Sequence, residues 1–141
     1  MAIKMRVLHA AQTGKIATMA ERLRAEFDLG PNSVDTIPPA YSCDKERIVI
    51  LCLSVKDEPS DSVRRFLGEL NKDRAQNVAL MIHGTEAGAN FVKDVLKKAG
   101  TNVIDEVFYV KAGFLPFLKS VKPEEEAAML AWAHKVVESL K

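Results

Sequence analysis

Hydrophobic and polar positions follow two different patterns along this chain. Residues 48–53 and 78–82 are apolar without interruption, which is typical of parallel strands that are covered on both faces. In other segments, apolar residues recur every three or four positions, which predicts amphipathic helices with one buried stripe. The chain is therefore predicted to alternate between strands and helices.

The pattern places five strands and four helices. The strands are predicted around residues 7–8, 34–37, 48–53, 78–82 and 103–110. The helices are predicted from the end of the turn 11–14 to about Asp28, after Pro59, from about residue 91 to the capping Gly100, and after Pro123. The connecting loops are then 54–60 and 83–90, and residues 111–121 form an apolar connector.

The polarity of the strands predicts their order. The segments around 7–8, 48–53 and 78–82 are the most apolar and should be central, whereas 34–37 and 103–110 should be edges. Residues 40–46 are too few for a helix and its two connections. With right-handed crossovers, these features predict a single domain, 1–141, with a three-layer, doubly wound α/β fold and a five-stranded parallel sheet of order 2-1-3-4-5.

This order predicts where a ligand would bind. The switch point lies between strands 1 and 3, and the loops 10–15, 54–60 and 83–90 converge there at the carboxyl ends of the strands. Thr13 and Gly14 stand at the turn from the first strand into the first helix. Free backbone N–H groups and the helix dipole favour an anion such as a phosphate at such a turn.

The composition of the chain argues against nucleic-acid binding and against a membrane-spanning segment. The chain is 48% apolar and 28% charged with a net charge of +1, which fits an ordinary globular protein and offers no electrostatic footprint for nucleic acid. No apolar run approaches the roughly 20 residues that span a membrane, and the first residues lack the pattern of a signal peptide, so we expect a cytoplasmic protein without a membrane partner.

The cysteines and other metal-ligating residues suggest no special site. We expect Cys43 and Cys52 to be free thiols, Cys52 in the core and Cys43 in a polar loop where it could be exposed. No cluster of Cys, His, Asp or Glu has metal-ligand spacing, so no metal site is predicted. His9 and His83 end two buried strands, and both packing and ligand contact are open roles for them.

The turn after the first strand resembles the phosphate loop of the flavodoxin family. The family pattern is Ser/Thr, any residue, Thr, Gly, any residue, Ser/Thr, and the matching stretch here is residues 11–16, AQTGKI. The resemblance implies non-covalent binding of FMN and transfer of one or two electrons between redox partner proteins. It implies that the phosphate contacts Gln12, Thr13, Gly14, Lys15 and Ile16. It also implies that the flavin ring lies between two groups of residues: Ser54, Val55, Lys56 and Asp57 after the third strand, and His83, Gly84, Thr85 and Gly88 after the fourth.

Two departures from the family pattern keep other functions open. Ala11 and Ile16 occupy positions where the family usually has a hydroxyl, and neither ring-flanking loop contains Phe, Tyr or Trp. One alternative is therefore a cofactor-free flavodoxin-like binding or accessory module. Another is an FMN-dependent reductase with a substrate pocket over the ring.

Three other phosphate-handling classes fit the sequence poorly. A P-loop needs an earlier Gly and a Ser/Thr where Ile16 stands. Asp57, Thr85 and Lys111 occupy the strand ends used by phospho-accepting receiver domains, but the acidic metal ligands expected after the first strand are absent. A cysteine-dependent phosphatase or arsenate reductase needs an Arg six residues after its Cys, and neither cysteine has one.

Overall fold

The computed structural model describes residues 4–10, 14–110 and 121–140, in which strands and helices alternate. Within these residues the strands are β1 (Met5–His9), β2 (Val34–Thr36), β3 (Ile48–Val55), β4 (Asn77–Gly84), β5 (Asn102–Val103) and β6 (Phe108–Tyr109). The helices are α1 (Gly14–Glu26), α2 (Asp61–Gly68), α3 (Glu86–Ala99) and α4 (Pro123–Ser139). The predicted apolar connector lies almost entirely outside the described residues.

The strands form one parallel sheet in the order β2-β1-β3-β4-β5, with β6 also paired to β4. The predicted order 2-1-3-4-5 is therefore confirmed, with the apolar strands β1, β3 and β4 in the centre. Residues 37–47, all of which the structure describes, contain no helix between β2 and β3, as the short separation predicted. The α/β class and the doubly wound arrangement are confirmed as well.

The prediction of one continuous fifth strand over residues 103–110 is wrong. The edge consists of β5 and β6, two residues each, which both pair with β4. Between them, side chains from the neighbouring helices bind the backbone: Lys93 Nζ donates to the carbonyl of Asp105 at 2.8 Å, and Trp132 Nε1 donates to that of Glu106 at 3.0 Å. These two carbonyls thus have side-chain partners at the point where the strand is interrupted.

The strands β3 and β4 are longer than predicted, so the predicted loops 54–60 and 83–90 were placed too early in the chain. β3 continues through Ser54 and Val55, and β4 continues through His83 and Gly84, with Ser54 opposite His83 and Val55 opposite Gly84. Helix α3 then begins at Glu86 instead of after residue 90. Backbone pairing extends past the last apolar residue because ladder hydrogen bonds do not depend on side-chain polarity.

Each face of the sheet has its own hydrophobic core. On one face, α1 and α4 pack on β1, β3 and β4, and this core includes Met19, Leu23, Trp132 and Ala133. On the other face, α2 and α3 contribute residues such as Phe66 to a second core. The architecture is therefore three layers, with the helices α1 and α4 on one side and α2 and α3 on the other.

The helix boundaries follow ordinary capping chemistry. Ser60 caps α2 by accepting a hydrogen bond from the backbone of Val63, and Thr85 caps α3 in the same way from Gly88. Gly100 ends α3 with φ of 108°, a left-handed conformation that glycine adopts without strain. None of the helices in the described ranges is long and apolar enough to cross a membrane.

Both cysteines are free and buried. Cys52 lies in the core as predicted, but the expectation that Cys43 could be exposed is wrong, because only 2% of it is accessible. Its loop covers the α2 face of the sheet, and Cys43 packs there with core residues of that face. Burial raises the pKa of the Cys43 thiol, so Cys43 is a buried apolar side chain at neutral pH.

Candidate functional site

The candidate site is the carboxyl edge of the three central strands. β1 pairs with β3 up to His9 opposite Cys52, and the backbone N–H of Ala10 donates to the carbonyl of Cys52 at 3.2 Å. Beyond Ala10 the chain passes through residues 11–13 into α1. Three of the predicted loop residues, Ala11, Gln12 and Thr13, lie outside the described residues.

Helix α1 begins at the last residue of the predicted turn 11–14. Gly14 is its first residue, and its first turn contains no acidic side chain. The first N–H groups of a helix have no partner within the helix, so those of Gly14, Lys15 and Ile16 stand at its positive end. The side chain of Ile16 is 1% exposed in the core, so its backbone N–H is the part of this residue that can serve a ligand.

Lys15 is paired across the interface between two helices. Its Nζ lies 2.6 Å from Oε1 of Glu125, in the first turn of α4, and the two side chains are only 13% and 8% exposed. Both helices follow strands of a parallel sheet, so both begin at the carboxyl edge. The Lys15–Glu125 pair therefore joins two helix starts beside the predicted phosphate loop.

The segments after β3 and β4 are bound to one another. The backbone N–H of Thr85 donates to the carbonyl of Val55 at 3.1 Å, and the Thr85 hydroxyl donates to the carbonyl of Lys56. The same hydroxyl accepts from the backbone N–H of Gly88 at 3.1 Å. Thr85 thus caps α3 and fixes the turn after β3, whereas Lys56 and Asp57 project into solvent.

Two of the predicted ring-flanking residues are glycines that leave room for backbone. A Cβ on Gly84 would lie 1.8 Å from the carbonyl oxygen of Val55. A Cβ on Gly88 would lie 2.6 Å from the same oxygen and 2.9 Å from the carbonyl oxygen of Lys56. Both distances are far below van der Waals contact, so these glycines are explained by the close approach of β4 and α3 to the end of β3.

Three polar side chains lie in the last two positions of the central strands, on the α1 and α4 face. Successive side chains of a strand alternate between faces, and His9, Ser54 and His83 each stand two positions after a residue of the α1 and α4 core. Ser54 Oγ and His83 Nδ1 are hydrogen-bonded at 3.3 Å. The structure therefore brings both histidines and Ser54 to the same face of the carboxyl edge.

His9 differs from His83 in its surroundings. Among the described residues, its Nδ1 atom is buried and has no hydrogen-bond partner. Burial lowers the pKa of His9 below its usual value, and the charge of Asp35 opposes this effect. His9 is thus favoured in its neutral form, and one of its ring nitrogens has no partner among the described residues.

Two residues near this edge were missed from the sequence. Tyr109 lies in β6 opposite Ile82 and is 44% exposed. Burial and the charge of Glu86, at the start of α3, raise the pKa of the Tyr109 hydroxyl. Tyr109 and Glu125 come from segments far from the predicted loops, and no local pattern indicated that the fold brings them there.

A cavity of about 80 Å³ lies elsewhere in the molecule. It is on the α2 side of the sheet, under residues 38–43, and its lining includes Cys43, Phe66 and Arg74. His9, Ser54 and His83 lie near the carboxyl ends of their strands, on the opposite face of the sheet. The cavity is therefore not part of the candidate site.

Comparison with known proteins identifies the fold. No protein-family model and no curated protein sequence matches the chain. Among solved structures, a short-chain flavodoxin associated with an atypical PDU bacterial microcompartment superposes with a TM-score of 0.69 and 15% sequence identity over 99% of both chains. A flavodoxin from Streptococcus pneumonia TIGR4 superposes with a TM-score of 0.60 and 16% identity over 95% of this chain and 97% of that one. The chain therefore has the flavodoxin-like fold.

Proposed function

We propose that this protein binds FMN non-covalently at the carboxyl edge of the sheet and passes electrons between redox partner proteins. The observation that carries the proposal is the junction of β1 and α1 at the switch point of a flavodoxin-like sheet. Open α/β sheets bind ligands at this position, and a helix that starts there favours a phosphate.

In this proposal the phosphate lies at the start of α1. Backbone N–H groups from Gln12 to Ile16 bind its oxygens, and the hydroxyl of Thr13 donates a further hydrogen bond. Gly14 lets the phosphate approach the backbone closely. The buried side chain of Ile16 is compatible with this arrangement, since only its N–H is needed.

In this proposal the ring lies over the carboxyl ends of β3 and β4, which are themselves paired. Backbone groups of Ser54–Asp57 and His83–Gly88 bond its polar edge, and the link from Thr85 to Lys56 holds these two segments at a fixed separation. The residues present fit a polar heterocycle, because the buried Nδ1 of His9 lacks a partner among the described residues at the same edge. Without an aromatic residue in either segment, backbone groups and His83 have to supply most of the contacts.

FMN supplies one- or two-electron transfer when it is bound, and the protein supplies binding, orientation and electrostatics. No side chain of this chain is required as a general acid or base. The described side chains at the edge, among them Ser54 and His83, bind and orient the ring and limit its access to water.

The experiment is a titration of the apoprotein with FMN, followed by quenching of flavin fluorescence, with riboflavin as the phosphate-free control. We expect micromolar or tighter binding of FMN, with riboflavin about tenfold weaker, equivalent to about 1.4 kcal/mol. No binding at about 100 μM, a free energy weaker than about −5.5 kcal/mol, would reject the carrier and leave a cofactor-free interaction module. Steady turnover with a nicotinamide donor and a small acceptor would instead indicate an FMN-dependent reductase.

A further inference from the structure

We propose that Glu125 is a specificity-determining residue that limits how strongly this site prefers a phosphorylated ligand. Through its ion pair with Lys15, Glu125 cancels the one positive side-chain charge in the first turn of α1. The inference rests on the proposed binding of FMN. It concerns the ratio of affinities for FMN and riboflavin, which differ by the phosphate.

The geometry of the pair supports this role. Lys15 is the second residue of α1, so its side chain begins within the helical turn whose N–H groups face the ligand. Its ammonium group is directed to Glu125 at 2.6 Å, and both side chains are largely withdrawn from water. Because water does not separate the two charges, a phosphate at the loop meets a dipole in place of a full positive charge.

Glu125 is also well placed to keep this position. It lies in the first turn of α4, after the N-terminal Pro123, where the helix dipole favours a carboxylate. The dipole of α4 therefore stabilises the charged form of Glu125 in addition to the attraction of Lys15. A ligand phosphate that drew Lys15 away would leave the carboxylate of Glu125 partly buried without this partner, which is unfavourable.

The neighbouring Glu124 provides a matched control. Glu124 is exposed on the same helical turn, and Glu126 pairs with Arg22 at 3.3 Å, further along α1. Replacement of Glu124 by Gln removes the same charge from the same turn of α4 without affecting the Lys15 pair. A general effect of net charge would act in both variants, whereas the proposed effect is confined to Glu125.

The test measures the dissociation constants of FMN and riboflavin for four proteins: wild type, Glu125→Gln, Glu124→Gln and the double variant Lys15→Met/Glu125→Gln. We expect Glu125→Gln to raise the preference for FMN over riboflavin by about tenfold, since the carboxylate charge that offsets Lys15 is then removed. Glu124→Gln should change this preference by less than about twofold because its charge is screened by solvent. The double variant should return to the wild-type preference, because the pair carries no net charge in either protein.

A second readout does not depend on flavin. In ¹⁵N-labelled protein titrated with inorganic phosphate, the amide signals of Gly14 and Ile16 should saturate at lower phosphate concentration in Glu125→Gln than in wild type. If Glu125→Gln does not fold, Lys15→Met provides the test, because it should lower the preference for FMN and the double variant should restore it. A double variant as weak as Lys15→Met would show that Lys15 binds phosphate directly, and it would overturn the role of Glu125.

The outcomes separate this inference from the proposed function. If wild type binds FMN and Glu125→Gln has the same preference as Glu124→Gln, the inference is wrong and FMN binding stands. If wild type binds no FMN but phosphate shifts the Gly14 amide more strongly in Glu125→Gln, the inference stands and the carrier function is rejected. Absence of both flavin and phosphate binding in all variants overturns both.

Discussion

The two halves of the carboxyl edge are built in different ways. At the start of α1, the contact with another helix is between side chains, in the pair of Lys15 and Glu125 at 2.6 Å. At the ends of β3 and β4, backbone lies against backbone, and Gly84 has no room for a Cβ beside Val55. Charge thus determines the contacts at the start of α1, whereas close packing determines those at the ends of β3 and β4.

This difference predicts different responses to substitution. Replacing a charged side chain by a neutral one of similar shape adds no atom to the packed interior, so the α1 half can change its ligand preference while the fold is kept. Loss of one member of the largely buried Lys15–Glu125 pair also costs some stability. A packed backbone contact tolerates no added atom without displacement of a strand or helix. We expect the β3 and β4 half to respond through stability, and the α1 half through ligand affinity.

Gly84→Ala should have the largest effect. Its Cβ would lie 1.8 Å from the carbonyl oxygen of Val55, so β4 or the end of β3 has to move. We expect a loss of about 3 kcal/mol in the free energy of unfolding, measured by urea denaturation. Gly68→Ala is the control, since nothing lies within 4 Å of the place that its Cβ would occupy at the end of α2, and it should be neutral or slightly stabilising. If Gly84→Ala and Gly68→Ala were equally stable, the close packing of backbone at Gly84 would not limit stability, contrary to our expectation.

Ile16→Thr introduces the hydroxyl that the flavodoxin phosphate loop usually has at this position. The side chain of Ile16 is buried in the core between α1 and the sheet, so the change removes apolar contacts and buries a hydroxyl. We expect a loss of about 2 kcal/mol in stability and no gain in FMN affinity. Ile16→Val is the control and should cost about 1 kcal/mol. Tighter FMN binding by the Thr variant would show that this side chain can reach the phosphate.

Thr85→Val removes the hydroxyl that links the two strand ends but keeps the shape of the side chain. It eliminates the cap of α3 and the hydrogen bond to Lys56, and we expect a loss of about 1 to 2 kcal/mol in the free energy of unfolding. Thr85→Ser keeps the hydroxyl and should lie closer to wild type. If the Ser and Val variants were equally unstable, the methyl contact and not the hydrogen bonds would hold this turn.

The smallest expected effect is a change in the pH dependence of stability at His9. The pKa of His9 is lowered in the folded protein by burial, so the unfolded chain binds the proton more tightly. The contribution of His9 is then fully present above the ordinary pKa of 6.5 and decreases as the pH falls through this value toward the folded pKa. In His9→Gln this decrease should disappear.

The measurement for His9 is the difference in unfolding free energy between wild type and His9→Gln from pH 7.5 to 5, in steps of about half a unit around the ordinary His pKa. The difference is needed because Glu46 titrates in the opposite sense: burial raises its pKa, so it favours folding as the pH falls. Parallel curves for the two proteins would show that His9 does not titrate differently in the folded state.

The sequence was sufficient for the fold class and the strand order because the signals for these features are local. Continuous apolar runs marked β3 and β4 as central, and the separation between β2 and β3 was too short for a helix. Gly100 and Pro123 also marked helix boundaries correctly, because their backbone preferences act within a few residues. Strand order then followed from the handedness of crossovers.

The details of the candidate site depend on contacts between distant segments, and these could not be predicted. Ser54 and His83 look like loop residues from their polarity, yet backbone pairing keeps both in strands. The burial of Cys43 depends on how its loop folds over the α2 face, and the ion pair of Lys15 depends on the docking of α4 against α1. Each of these contacts joins residues for which the local pattern contains no information about the partner.

The most direct test of the central claim is a map of amide chemical shifts in ¹⁵N-labelled protein during titration with FMN. If one ligand bridges the two halves of the edge, the amides of Gly14 and Ile16 and those of Val55 and Gly84 should shift together with a single dissociation constant. Riboflavin should shift Val55 and Gly84 but leave Gly14 nearly unchanged. If only amides around the cavity at Cys43 shifted, or if no amide shifted, the claim that FMN binds across the carboxyl edge would be contradicted.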